Sequence, residues 1–130
     1  MRIPDFEITS HTKGSLATAR LPFASMKRSV LGKKYTLSLA FIGEKKSRTL
    51  NRTFRGKDEP TDILSFPLSK DTGEIFINLT RSRVEAGRFD REFKNFVAFL
   101  FIHGLVHLKG HTHGSRMEAV ERQVRQRFDI

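Results

Sequence analysis

The sequence predicts an α+β fold, in which a small mixed β-sheet is covered by helices and a buried central helix carries a cluster of histidines. Two observations predict this class. Segments with strand-like alternation are interleaved with segments of helical periodicity, and two of the strands form a hairpin. The segment Glu92–Leu108 is apolar around most of its girth, so as a helix it has to be buried on nearly all sides. We expect a single domain spanning residues 1–130.

The first half of the chain predicts two strands and two helices. In order, these are a strand at Phe6–Thr9, a helix from Pro22 to Gly32, a strand at Tyr35–Ile42 and a basic helix at Glu44–Phe54. Pro22 suits the first helical position because proline has no N–H to leave unpaired there.

The second half predicts a hairpin followed by three helices. The hairpin strands are Ile63–Phe66, closed by Pro67, and Glu74–Asn78; the helices are Leu79–Gly87, Glu92–Leu108 and a final helix from Ser115. Ser115 and Glu118 have the spacing of a capping box, which predicts Ser115 as the N-cap. Met117, Val120, Val124 and Phe128 give this last helix a buried side, and we interpret it as purely structural.

The chain is strongly basic, with 24 Lys and Arg against 14 Asp and Glu and a formal charge of +10. Ten basic residues and one acid lie between Lys27 and Lys57. Such a charge attracts polyanions, although a solvated surface or a membrane-surface helix would have the same composition. Tryptophan is absent, so base stacking would fall to phenylalanines or arginines.

Composition also excludes some classes of site and location. The chain has no cysteine, which excludes disulfides and thiolate metal sites. The longest apolar stretch, Phe96–Leu108, is too short to span a bilayer, and the first residues have no signal-peptide pattern. We expect a cytoplasmic protein without a membrane partner.

Three histidines, His103, His107 and His113, are the strongest indication of chemistry. The first two are one helical turn apart, so their side chains leave the same face of a helix. Gly110 lets the chain turn back, and His113 can then supply a third nitrogen. Three imidazoles with a fourth position open are typical of a catalytic zinc site. Isolated histidines are more often satisfied core residues, but burying three without a ligand is costly.

The same spacing occurs in metzincin peptidases, which need a glutamate directly after the first histidine as general base. That position is Gly104 here. A metal-dependent hydrolase of another substrate, such as a peptide, is an alternative. This chain, however, lacks the glutamate that would act as the general base in such an enzyme.

Two blocks of sequence resemble the YbeY family of bacterial rRNA maturation factors. HGLVHLKGHTH, residues 103–113, resembles that family's HGxLHLxGYDH motif, and residues 50–67 resemble its LNxxYRxKDxPTDVLSFP segment. Gly73-Glu74-Ile75 is also similar to its GDI strand. The resemblance covers roughly residues 35–128.

The resemblance implies a single-strand-specific, zinc-dependent endoribonuclease that acts in maturation of the 16S rRNA 3′ end and in late ribosome quality control. It implies one Zn²⁺ per chain on His103, His107 and His113, with Arg55 as a catalytic residue that stabilises phosphate charge. The partners would be single-stranded rRNA and the ribosome or its small subunit. The candidate RNA contacts in the basic region are Lys46, Arg48, Arg52 and Lys57.

The chain departs from the family pattern inside the histidine motif. His111-Thr112 replaces the family's Tyr-Asp pair, which removes a candidate base or hydrogen-bonding partner near the metal. Asp62 and Ser65 are candidates either for supporting the metal ligands by hydrogen bonding or for capping the loop, and we favour loop capping. A non-catalytic RNA-binding module with a structural metal is a further alternative, because the basic region supports RNA binding with or without cleavage.

Overall fold

A computed structural model describes residues 2–12 and 20–130. Five strands form one mixed sheet in the order β1-β2-β3-β5-β4. The strands are β1 (Arg2–Ile3), β2 (Phe6–Ser10), β3 (Thr36–Ile42), β4 (Ile63–Ser69) and β5 (Thr72–Asn78). β3 runs parallel to both β2 and β5, whereas β1–β2 and β4–β5 are antiparallel. The α+β class, the mixed sheet and the hairpin are confirmed.

Helices connect and cover the strands. They are α1 (Phe23–Leu31), α2 (Glu44–Arg55), α3 (Leu79–Arg88), α4 (Phe93–Leu108) and α5 (Ser115–Arg127). α4 is the central element, as predicted, because it contacts β4 and β5 on one side and α1, α3 and α5 on the others. Its buried positions run from Phe96 to Val106, and Phe101 is fully buried against the rings of Phe6 and Phe23.

A buried lysine lies on α1, inside the region that the sequence assigned to the basic surface. Lys27 is fully buried, and its Nζ donates to Asp5 Oδ2 at 2.8 Å, to the Gly32 carbonyl at 2.8 Å and to the Tyr35 carbonyl. Arg28 binds the same carboxylate through two nitrogens, at 3.0 and 2.6 Å. Lys27 therefore anchors α1 to the sheet and does not contribute an exposed charge.

Three local predictions were wrong. The strand containing Pro67 continues to Ser69, because β4 is the outer strand of the sheet, where a proline whose nitrogen faces solvent removes no ladder hydrogen bond. α1 begins at Phe23, with Pro22 as its N-cap rather than its first residue. α5 begins at Ser115 after Gly114, and no side-chain capping bond is formed, so the predicted capping box is absent.

The described residues include no helix that combines the length and the apolar character needed to cross a membrane.

Candidate active site

One pocket of about 400 Å³ brings together the predicted histidine ligands and Arg55. It lies where the end of α2, the loop before β4 and the end of α4 meet. The lining residues are Phe54, Arg55, Thr61, Asp62, Ile63, Ser65, Phe66, His103, His107 and His113. Residues from both blocks of the sequence thus converge on one place.

The end of α4 and the turn after it position the three histidines. His103 and His107 are separated by one helical turn, so both side chains leave α4 on the same side. The Gly110 N–H donates to the His107 carbonyl at 3.0 Å, and Gly110 has φ +110°, which favours glycine. This turn sends the chain back so that His113 reaches the same pocket.

A residue of α5 contacts one of the three histidines, although we interpret this helix from the sequence as structural only. His103 Nδ1 lies 2.8 Å from Glu121 Oε1, and Glu121 is buried with 7% of its surface exposed. A carboxylate only accepts, so Nδ1 carries the hydrogen and Nε2 is the ring nitrogen left for a ligand. The hydrogen bond to Glu121 raises the pKa of His103. The interpretation of α5 as purely structural did not include this contact with a predicted metal ligand.

The other two histidines are more exposed and lie close to each other. The ring centres are 5.4 Å apart for His103 and His113 and 5.9 Å apart for His107 and His113. Partial burial lowers the pKa of His107, and the neighbouring His113 lowers it further. A lowered pKa favours the neutral imidazole, which is the form that binds metals.

Three imidazoles are suitable ligands for a zinc ion, and the separations of their rings can be compared with those of a zinc site. In a tetrahedral site with zinc–nitrogen bonds of about 2.0–2.1 Å, neighbouring imidazole centres lie about 5 Å apart. The observed separations of 5.4 and 5.9 Å are slightly larger. Within residues 2–12 and 20–130, no three His, Cys, Asp or Glu side chains are arranged so that they could hold a metal ion. The chemistry of the three imidazoles nevertheless fits the metal that the resemblance implies.

Gly104 is a point of close approach between α4 and the sheet. A Cβ added there would lie 2.9 Å from Ser65 Oγ, 3.0 Å from Ile75 Cδ1 and 3.1 Å from Ile63 Cδ1. These separations are shorter than ordinary van der Waals contact. A side chain at the position where metzincins carry their glutamate would therefore push against β4 and β5, which adds to the absence of the glutamate as an argument against the peptidase alternative.

Two buried polar residues of α2 hold the loop that leads into the pocket. Ser47 exchanges hydrogen bonds with the backbone of Thr61, at 2.8 and 2.9 Å. Asn51 Nδ2 donates to the Glu59 carbonyl at 2.8 Å. Because Arg55 is the last residue of α2, these bonds fix the loop relative to the arginine.

Asp62 and Ser65 lie in the pocket lining, and backbone N–H groups of Asp62 and Ile63 donate to the Asp62 carboxylate. Asp62 is the acidic residue of the lining. Burial raises the pKa of Asp62, and the nearby charge of Glu85 raises it further. Both residues thus line the pocket, and their roles as supports behind the ligands or as loop caps stay predictions.

The four candidate RNA contacts lie outside the pocket lining and differ in their environments. Lys46 and Lys57 are exposed. Arg48 binds Asp58 through two nitrogens, at 2.8 and 3.0 Å, and Arg52 lies 3.5 Å from the same carboxylate. His111 also lies outside the pocket lining.

Comparisons with known proteins identify the family that the two sequence blocks resemble. A sequence model of a family described as endoribonuclease YbeY matches residues 5–128. Endoribonuclease YbeY of Alkaliphilus metalliredigens is 37% identical over 71% of this chain and 66% of its own length. The Halalkalibacterium halodurans protein of the same name is 33% identical over 71% of this chain and 68% of its own. The chain thus spans about two thirds of the length of these curated relatives.

The fold also has a solved counterpart. The solution structure of TM1509 from Thermotoga maritima superposes with a TM-score of 0.66 and 26% identity, covering 92% of this chain and 85% of TM1509. The family match includes the pocket, its histidines and the loop from α2 to β4. On this evidence the chain belongs to the endoribonuclease YbeY family.

Proposed function

We propose that this protein is a zinc-dependent endoribonuclease that cleaves single-stranded RNA in the pocket at the end of α4. The observation that carries the proposal is the convergence of three imidazoles, an arginine and a carboxylate on one pocket beside a basic helix. The relatives named endoribonuclease YbeY support the reaction class. The resemblance of the two sequence blocks supports rRNA as the substrate.

His103, His107 and His113 are the residues that would hold one Zn²⁺. When bound, such an ion supplies polarisation of a phosphoryl oxygen and a lowered pKa for water at the open position. Glu121 keeps the proton of His103 on Nδ1, so that Nε2 is free to bind the ion.

Arg55 and Asp62 provide the charged groups around the reacting phosphate. The planar guanidinium of Arg55 can bind two phosphate oxygens and stabilise the charge that develops during cleavage. Asp62, the carboxylate of the pocket lining, would accept a proton from the attacking group, because His111-Thr112 provides no carboxylate in the histidine motif.

We further propose that the RNA is the 3′ end of 16S rRNA, processed in the cytoplasm on the small ribosomal subunit. The support for this step is the resemblance to the rRNA maturation family. Cells lacking the protein should accumulate 16S precursors with extended 3′ ends, and complementation with the wild-type chain but not with His107→Ala should remove them. Unchanged 16S ends in such cells would refute this role while leaving the chemistry intact.

The chemistry is tested with purified protein, zinc analysis and a labelled RNA in single-stranded and duplex form. Wild type should bind one zinc per chain and cleave the single strand. His107→Ala should lose zinc and activity together. Arg55→Ala and Asp62→Asn should keep zinc but lose cleavage by about 10²-fold or more. The matched control is His111→Ala, a histidine of the same segment outside the pocket, which should retain both zinc and activity.

Two outcomes would contradict the proposal. Wild-type cleavage rates in both His107→Ala and Arg55→Ala would show that the activity belongs to another site or to a contaminant. Tight RNA binding with four protein ligands on the metal, and intact RNA after long incubation, would favour the module with a structural metal.

A further inference from the structure

An exposed phenylalanine lies on the wall of the pocket. Phe54 is next to last in α2, lines the pocket and has 64% of its surface exposed. Of the twelve phenylalanines, only Phe89 is comparably exposed, at 52%, and it packs on Phe96 and Phe99 away from the pocket. Phe54 therefore does not gain the free energy of burial that stabilises the core phenylalanines.

Two other rings support Phe54 from the sheet. The centre of Phe66, on β4, is 5.4 Å from that of Phe54, with the planes inclined at 55°. Phe66 in turn lies 6.0 Å from Phe76, on β5, at 65°. These separations are those of favourable aromatic pairs. The ring of Phe54 is thus braced on one side by β4, while most of its surface faces solvent at the pocket.

The charges beside this ring indicate what could cover it. Arg55 follows Phe54 directly and lines the same pocket, and Lys57 is exposed two residues later. Cations that attract a phosphate backbone next to an aromatic face that accepts a base are the combination found in single-strand binding sites. An apolar peptide segment would use the ring but would not need the neighbouring cations.

We propose that Phe54 stacks on a nucleobase of single-stranded RNA while Arg55 binds a phosphate of the same segment. This inference rests on the proposed function and deepens it, because it names a base subsite within the pocket. It also gives a reason for single-strand specificity: bases in a duplex are already stacked on their neighbours and are not available to the ring.

The test compares variants in equilibrium binding to short RNAs. The probe is a fluorescein-labelled, 2′-O-methyl octanucleotide, with its integrity checked on a gel, added to zinc-loaded protein. Phe54→Ala and Phe54→Leu should bind it about 5- to 150-fold more weakly, the range expected for one stacked base. Phe54→Tyr, which keeps the ring, should bind within about twofold of wild type. Phe89→Ala is the control and should bind like wild type.

A second set of probes removes one base at a time and keeps the backbone charge. At one position, the abasic probe should bind wild type more weakly but should bind Phe54→Ala as well as the intact probe does. Equal binding of the intact RNA by wild type and Phe54→Ala would overturn the inference, as would full binding by Phe54→Leu or the same abasic penalty in both proteins.

The proposed function and the base subsite at Phe54 are refuted by different results. If wild type neither binds nor cleaves RNA, the proposed function is wrong. If wild type cleaves RNA and Phe54→Ala binds and cleaves equally well, only the base subsite is wrong. Thermal unfolding of each variant checks that this exposed substitution leaves the fold intact.

Discussion

Single residues contribute to the site from elements that are distant in the sequence. Glu121 lies on α5, eighteen positions after the histidine it contacts, and it is buried against that ring. A carboxylate that fixes the orientation of a metal-binding imidazole commonly increases metal affinity. The side chain therefore belongs to the site, although it does not line the pocket.

We predict that Glu121→Ala lowers zinc affinity by about 10- to 100-fold, because His103 loses the acceptor that orients it. Glu121→Gln should have a smaller effect, since its amide oxygen can still accept from Nδ1. Competition with a chromogenic chelator measures both. Glu118→Ala, an exposed position on the same helix, is the control. Zinc affinities that are equal in all four proteins would show that the hydrogen bond does not orient the ring.

The close approach at Gly104 gives a second prediction at this scale. Gly104→Ala should destabilise the fold by about 1–3 kcal/mol, because the added methyl group meets side chains of β4 and β5. Gly87→Ala in α3 is the opposite case, with no atom within 4 Å of the added Cβ. It should stabilise the protein by about 0.5–1 kcal/mol through helix propensity. Urea unfolding of the two variants should shift in opposite directions, and a shared direction would contradict the packing argument.

At the scale of elements, α2 and the loop after it act as one unit. Ser47 and Asn51 of α2 bind the loop backbone. On the exposed surface, Asp58 of the loop binds Arg48 and Arg52 of α2. The loop is thereby held beside Arg55. The same contacts occupy two of the four predicted RNA-binding cations, so the basic surface in the free protein is smaller than the sequence indicates.

We predict that Asp58→Asn strengthens RNA binding, because it releases Arg48 and Arg52 to contact phosphates. For single strands the dependence of log affinity on log salt should steepen by up to about 1.4, corresponding to two additional contacts. Fluorescence anisotropy at several salt concentrations measures the slope. Asp71→Asn, which makes the same charge change in the β4–β5 turn, is the control. An equal steepening in both variants would mean that only net charge matters.

The sequence revealed those parts of the site that depend on local spacing. His103 and His107 share a helix face and His113 follows a glycine turn, so their convergence could be predicted. Glu121 could not, because its contact depends on how α5 packs on α4. Lys27 was misplaced for the same reason: a lysine that is buried with a carboxylate and two carbonyls is indistinguishable in sequence from an exposed one. Pro67 was misjudged because the outer position of β4 is a property of the sheet.

At the scale of the whole molecule, buried Lys27 and Asp5 form a cluster with the partly exposed Arg28, which links α1 to the turn between β1 and β2. Hydrogen bonds from Arg28 and Lys27 hold the pKa of Asp5 well below its usual range. A lowered pKa in the folded state stabilises the fold above the unfolded value of about 4. This contribution is lost as the pH falls from about 4 toward the lowered folded-state value.

We predict that Asp5→Asn lowers the thermal midpoint at neutral pH, because it leaves a buried cation without its charged partner. The midpoint of the variant should also fall less than that of wild type between about pH 4 and pH 2, since the titrating group is gone. Calorimetric scans across this range measure both effects. Asp71→Asn should follow the wild-type curve, and an Asp5→Asn curve parallel to wild type would exclude this cluster as a source of acid sensitivity.

The two outer strands of the sheet have a consequence for how molecules of this protein meet at high concentration. β1 is only two residues long, and β4 contains Pro67 with a shift in register between Pro67 and Ser69. Neither presents a long, regular row of free backbone donors to another chain. Edge-to-edge pairing, the usual start of fibrillar aggregation, is therefore disfavoured at β1 and at the Pro67 end of β4.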